Sequence, residues 1–216
     1  MDKGGSIADI VFEKIESDIL TGVFKRGDII SEMKLCSMLG VSRTPVREAL
    51  FRLRQEGLIE ESGKGATVIG VTKKDVSDIY DVRIRLEGMA SANCAATITP
   101  EKLEKLKNTL DLQSFYEEKG SADGVSKLDS EFHHLIYMYS DSKILESILG
   151  DLHRKAQRFR RLSVENSKRA HAAVLEHIGI YNAIAEGNRE LAEKLTVEHI
   201  KNAKKNILNS LPSNYC

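Results

Sequence analysis

Four side chains in the second half of this sequence have the types and spacing of a metal-binding set. Asp129 and His133, in LDSEFHHL, are four residues apart and share one face of any helix they occupy. His177, in VLEHIGIYNAI, and His199, in LTVEHI, each follow a glutamate and sit among apolar neighbours, as if pointing inward from their own helices. Three imidazoles and one carboxylate meeting inside a bundle suit a borderline divalent cation such as zinc, nickel or manganese, with positions left for water or a ligand. Spacing alone leaves the ordinary alternative open, because histidines on amphipathic helices are commonly satisfied core residues or solvated surface ones. His153 and His171 read that way, and His134, next to His133, points about 100° away from it.

A second chemistry is suggested by GVSRTPVREALFRLRQEGLI, residues 40–59, where Arg43, Arg47, Arg52 and Arg54 interleave with apolar residues at helical spacing. Arg43 and Arg47 lie on one helix face, and either can make a bidentate contact to guanine in a major groove. Ser42 and Thr44 can donate to phosphates at the same helix start. Arg52 and Arg54 come late in the helix, where phosphate contacts or plain solvation are the expected roles. A solvated basic face is the alternative for the whole cluster. A tight turn before the helix, its polar first turn and a following basic tip at Lys64 argue together for a nucleic-acid reader.

The elements that must position these groups are legible. SIADIVFEKIESDIL has an apolar stripe and ends at Gly22; GVFKRGDII turns through Gly27; Ser31 can cap the short helix EMKLCSML, with Gly40 suited to the left-handed position after it. A third helix begins near Ser42 or Thr44, with Pro45 in its first turn, and ends at Gly57. LIEE and ATVI read as two short strands joined by the tip Ser62-Gly63-Lys64-Gly65. Beyond Gly70 only helices are expected: from the capping-box pattern at Thr72–Asp75 to about 96, from Thr99-Pro100 through YEE, then about 126–139, 142–163, 168–186 and 188–209, with KGSADGVS as a break. The change of character near 70–75 divides the chain into 1–72, a winged helix-turn-helix, and 73–216, an all-α antiparallel bundle.

Bulk properties narrow the function. Thirty-two basic residues balance 32 acidic ones, so any electrostatic role is local, and residues 41–54 set four arginines against Glu48 alone. The three cysteines are odd in number and far apart, which argues against a disulfide scaffold or a thiolate metal site and fits a reducing interior. No apolar run approaches the roughly 20 residues of a membrane span, and nothing before residue 10 reads as a signal peptide. The expectation is a soluble cytoplasmic protein.

The run LGVSRTPVREALFRLRQEGLI, preceded by LTGVFKRGDIISE and followed by GKGATV, resembles the winged helix-turn-helix of GntR-family bacterial transcription regulators. The resemblance implies operator contacts from Arg43, Thr44, Arg47 and the wing around Gly65. Members often carry a basic residue two positions after the Glu or Ser that opens the second helix; here Met33 stands there, beside Lys34. Likewise DVRIRLEGMASANCAA, LDSEFHHLIYMYSDS and LEHIGIYNAIAEGNRELAEKLTVEHI resemble the helical FCD effector-binding domain of the FadR-type branch. That likeness implies a divalent metal on Asp129, His133, His177 and His199 beside a small carboxylate ligand. It also places Arg83 where it either meets that carboxylate or pairs with Glu87 at i+4 on the surface; Arg158 or Arg161 are further candidates for the same role.

The function expected is a DNA-binding transcription regulator, a repressor in the first instance, that reads a palindromic operator as a homodimer and answers to a small organic acid. The zinc-type cofactor would assist ligand binding and catalyse nothing. The alternative, a helical metalloenzyme fused to a DNA-binding head, lacks motif support: a ferritin-like di-iron site needs two Glu-x-x-His pairs, and Glu131-x-x-His134 is alone. No G-x-S-x-G, P-loop or H-E-x-x-H is present.

Overall fold

The computed structural model describes residues 6–63, 65–164 and 167–211, with side chains omitted at 158–164 and 167. The chain divides into two compact units, Met1–Thr72 and Lys73–Cys216.

In the first unit the order is α1 (Ile7–Leu20), β1 (Ile29–Ile30), α2 (Glu32–Leu39), α3 (Arg43–Gln55), β2 (Ile59–Ser62) and β3 (Gly65–Val68). Ser6 opens α1 with a reciprocal capping box to Asp9. Ser31 caps α2 through the Lys34 amide, and Gly40, at φ +66°, turns the chain sharply into α3. Val11, Ile15 and Ile19 of α1 meet Leu35, Val46, Ala49 and Leu53, and Leu58, Ile59, Ala66 and Val68 close the core from the sheet. Arg52, late in α3, pairs with Asp9 at 2.6 Å and lies 4.2 Å over the Phe12 ring, while Arg54 pairs with Glu61 at 2.9 Å. Both arginines therefore have partners within the unit.

The sheet corrects the two-stranded ribbon expected above. It has three strands in the order β1-β3-β2, all antiparallel, with Ile29 opposite Thr67 and Ile30 opposite Ala66. Two residues are too short for alternation to be visible in sequence; the strand exists because Ile30 is buried against β3. Gly65 is fixed by this added strand. Its φ is +138°, and a Cβ there would stand 2.7 Å from the Ile30 carbonyl oxygen. Gly65→Ala is expected to cost about 1–3 kcal/mol, read as a lowered thermal midpoint of the first unit.

The second unit is α4 (Lys73–Thr97), α5 (Pro100–Glu118), α6 (Ala122–Tyr139), α7 (Lys143–Val164), α8 (Ser167–Ala185) and α9 (Arg189–Ser210). Thr99 and Asn188 cap α5 and α9 through their side chains. The break expected over KGSADGVS shrinks to three residues. Gly120 ends α5 at φ +67°, and Ser121 caps α6 at once by accepting from the Gly124 amide. Glycine suits position 124 because a Cβ there would stand 2.5 Å from the Tyr116 ring.

Leu106, Phe132, Leu135, Ile136, Leu149, Ile180 and Ile184 form the bundle core with the small residues Ala90, Cys94 and Ala192. Burial pushes the Cys94 thiol up to about 12, so it stays protonated and offers no thiolate ligand. Gly88 lets α4 and α9 approach closely; a Cβ there would meet Val197 Cγ2 at 2.9 Å. Along α4 the buried stripe runs Val76, Tyr80, Arg83, Glu87, Ala90, Cys94, so a charged pair occupies two core positions.

Candidate metal centre and nucleic-acid interface

Asp129 and His133 come from α6, His177 from α8 and His199 from α9, and all four are buried. One ligand atom from each lies within 4.8 Å of all the others. His199 Nε2 is 3.2 Å from His133 Nε2 and 3.3 Å from His177 Nε2, and His177 Nε2 is 3.5 Å from Asp129 Oδ1. An ion bound tetrahedrally at zinc–nitrogen distances spaces its nitrogens about 3.3 Å apart.

The outward nitrogens explain why these atoms converge. His177 Nδ1 donates to Gln113 Oε1 at 2.8 Å, and His199 Nδ1 donates to Glu176 Oε2 at 2.6 Å. His133 Nδ1 lies 2.9 Å from Glu87 Oε2. An imidazole whose Nδ1 carries the proton presents a bare lone pair at Nε2. Three such lone pairs facing one another repel unless a cation lies between them, so the donor set fits a divalent metal. Phe132 stacks on His177 with centroids 4.5 Å apart and fixes that ring's plane. Burial, the largest influence on His199, lowers its pKa against the pull of Glu176, which keeps the ring neutral and able to ligate.

Each of two outer carboxylates also holds an arginine. Glu87 accepts from Arg83 Nε at 2.6 Å, and Glu176 accepts from Arg169 at 2.9 Å and from Asn202 at 2.9 Å. Burial would raise the carboxyl of Glu87, but Arg83 and His133 overcome it and hold the group well below the usual carboxylate range. The Arg83 guanidinium stacks 4.8 Å from the Tyr80 ring. Both arginines, with Tyr80, Asp129 and His199, line a small cavity of about 30 Å³ beside the metal-type cluster. Arg83 thus does pair with Glu87 at i+4, yet it is 1% exposed rather than on the surface. Arg158 and Arg161 fall among the side chains that are not described. Gln113, Arg169 and Glu176 are the members that sequence reasoning missed, and Glu87 was read only as a surface partner of Arg83, without its contact to His133. Their signal was weak, although a charged pair at the 83 and 87 positions of an otherwise buried stripe was one.

In the first unit, Arg43 and Arg47 project from the start of α3 with 64% and 67% of their side-chain surface exposed. Both approach Glu32 at the start of α2: Arg47 Nε at 2.8 Å and Arg43 Nε at 3.7 Å. Ser42 takes the N-cap position of α3 but makes no side-chain capping bond, unlike Ser6, Ser31, Thr99, Ser121 and Asn188 at theirs. The amides at the head of α3 therefore remain available to an anion, with Thr44 exposed beside them. Gly65 opens β3 at the hairpin tip, and Lys64 lies outside the described residues.

Comparison with known proteins gives this geometry its context. Over 190 residues the chain is 29% identical to the HTH-type transcriptional regulator YdhC of Bacillus subtilis, covering 87% of this chain and 85% of that one. It is 36% identical over 118 residues to the gluconate operon transcriptional repressor of Bacillus licheniformis, covering 55% of this chain and 49% of the relative. Escherichia coli McbR/YncC shares the fold with a TM-score of 0.71 at 23% identity, over 95% of this chain and 98% of that one. Among the described residues no helix is long and apolar enough to cross a membrane. Residues 7–69 match the bacterial regulatory proteins of the gntR family and residues 78–202 match the FCD domain, so the chain belongs to the GntR family as a DNA-binding transcription regulator with an FCD domain.

Proposed function

We propose that this regulator is a metal-assisted sensor of a small organic acid, a cytoplasmic repressor that binds a palindromic operator as a homodimer. Asp129, His133, His177 and His199 would hold the divalent ion, zinc first and nickel or manganese otherwise. Bound there, the ion supplies a Lewis-acidic position for a carboxylate oxygen. Arg83 and Arg169, on the wall of the adjoining cavity, orient the same carboxylate through charge-assisted hydrogen bonds. The single observation that carries the reading is the convergence of three Nε2 atoms whose rings are held from behind by Glu87, Gln113 and Glu176. The repressor of a gluconate operon among the relatives fits an acid of the hydroxy-carboxylate class.

On DNA, Arg43 and Arg47 read base edges, Ser42 and Thr44 with the α3 amides take phosphates, and the tip at Lys64 and Gly65 follows the neighbouring groove. A two-fold dimer presents two such heads to two half-sites. The acid controls binding to the extent that it prefers one arrangement of the dimer over the other.

The test is a footprint on selected operator DNA with zinc-loaded protein, titrated with a panel of small hydroxy acids. A symmetric protected site whose affinity shifts at least tenfold with one acid, and fails to shift in Arg83→Met, supports the reading. Arg47→Ala is expected to lose a contact of roughly 1–3 kcal/mol, about tenfold to a hundredfold in operator affinity. Protection that ignores every acid and chelator would reduce the helical unit to a scaffold.

A further inference from the structure

We infer that Glu32 is a positioning residue for base recognition: one carboxylate at the head of α2 holds Arg47 by its Nε edge, attracts Arg43 beside it, and sets the sequence selectivity of the protein. The inference rests on the reading face just proposed and adds a residue to it that contacts no base itself.

Glu32 is the first residue of α2, where Ser31 caps the helix and the exposed amides favour a negative charge. Its side chain is 26% exposed, against 64% and 67% for Arg43 and Arg47, so the carboxylate is the more enclosed partner. The two oxygens divide the work. Oε2 accepts from Arg47 Nε at 2.8 Å, and Oε1 lies 3.7 Å from Arg43 Nε. The hydrogen bond that Arg47 donates to Glu32 is also the largest cause of the raised Arg47 pKa.

A guanidinium has two useful edges. Occupying the Nε edge leaves the terminal Nη pair, the fork that matches guanine O6 and N7. Arg47, a long side chain that would lose rotamer freedom on docking, is thereby ordered in advance, which lowers the cost of the specific complex. The same carboxylate opposes non-specific binding. It neutralises part of the charge that would otherwise attach to any phosphate, and it repels the backbone of a misplaced duplex. A contact between exposed charges is worth little as stability, so a folding role does not account for it.

The experiment compares full-length protein with Glu32→Gln, Glu32→Ala, Glu32→Asp and Arg47→Ala. Random duplex DNA is first selected on the wild type to obtain its consensus; affinities for that duplex and for a scrambled one are then measured by anisotropy at several salt concentrations. For Glu32→Gln and Glu32→Ala, consensus affinity is expected to fall while scrambled-duplex affinity rises several-fold, shrinking the specificity ratio at least tenfold. The base preferences that relax should be those that Arg47→Ala also relaxes, and Glu32→Asp should recover part of the ratio. A merely structural role would lower both affinities by one factor together with the thermal midpoint, and that result overturns the inference. Tighter consensus binding in Glu32→Gln also overturns it, marking the contact as an inhibitory lock. If Arg47→Ala leaves the base preferences unchanged, the reading face itself is wrong and Glu32 loses its role with it; normal loss in Arg47→Ala with an unchanged ratio in the Glu32 variants removes Glu32 alone.

Discussion

Stripping divalent metal from the purified protein with a chelator is expected to lower the thermal midpoint of the helical unit by about 10 °C. A ligand present at a thousandfold excess over its Kd stabilises the folded state by about 4 kcal/mol, and each kcal/mol moves a domain of this size by about 2–4 °C. The expectation follows from the three facing Nε2 atoms at 3.2 and 3.3 Å, which are mutually repulsive until a cation joins them. Elemental analysis should find about one zinc-type ion per chain, and none after His177→Ala or His199→Ala. Those two variants should also lose the chelator effect on melting, which separates metal loss from general damage.

Acid should imitate the chelator. Burial lowers the His199 pKa, so the neutral ring contributes stability above the ordinary histidine range near 6.5 and loses it as pH falls below that range. The metal-dependent part of the melting temperature therefore disappears on the acid side. Metal content and melting that stay constant from pH 8 to 5, in wild type and both variants, would retire the metal assignment.

How far the sequence could anticipate this site depends on which part is considered. The four inward donors were legible because each sits on an apolar face of its own helix, and Asp129 and His133 share a face at i and i+4. The partners behind them were not, because they are set by how separate helices meet. Glu176 shows the difficulty. It adjoins His177 in sequence, but neighbours on a helix diverge by about 100°, and its carboxylate serves His199 on α9 instead. Gln113 reaches His177 from α5, 64 residues away. Arg169 arrives in the cavity by the same tertiary route.

In the first unit, glycine turns, caps and the apolar stripe of α1 carry most of the fold at short range, whereas β1 owes its two residues to a pairing with β3 more than 30 residues later. Arg43 and Arg47 were recognisable as a pair on one face; their common partner Glu32 required the packing of α2 on α3.

The largest effect of a single substitution is expected at the buried pair on α4. Glu87→Ala leaves the Arg83 guanidinium, 1% exposed, without its 2.6 Å partner and should destabilise the helical unit by about 3–5 kcal/mol. Glu87→Gln keeps an acceptor and should cost less, but it weakens the support behind His133 and is expected to reduce metal affinity about 10–100-fold. Arg83 and His133 hold the Glu87 carboxyl below its usual range, so the pair contributes fully above pH of about 4.5 and is lost as acid protonates it. The double variant Arg83→Met with Glu87→Leu is the informative one. Two apolar side chains of similar volume remove both charges from the interior, and the chelated protein should then melt near or above the chelated wild type, since desolvating an ion pair offsets much of its attraction. Such a protein would fold and present its DNA-binding head unchanged while failing to respond to any carboxylate. Retained response in the double variant would show that Arg83 serves the core alone, and Arg169 would then be the arginine that meets the acid.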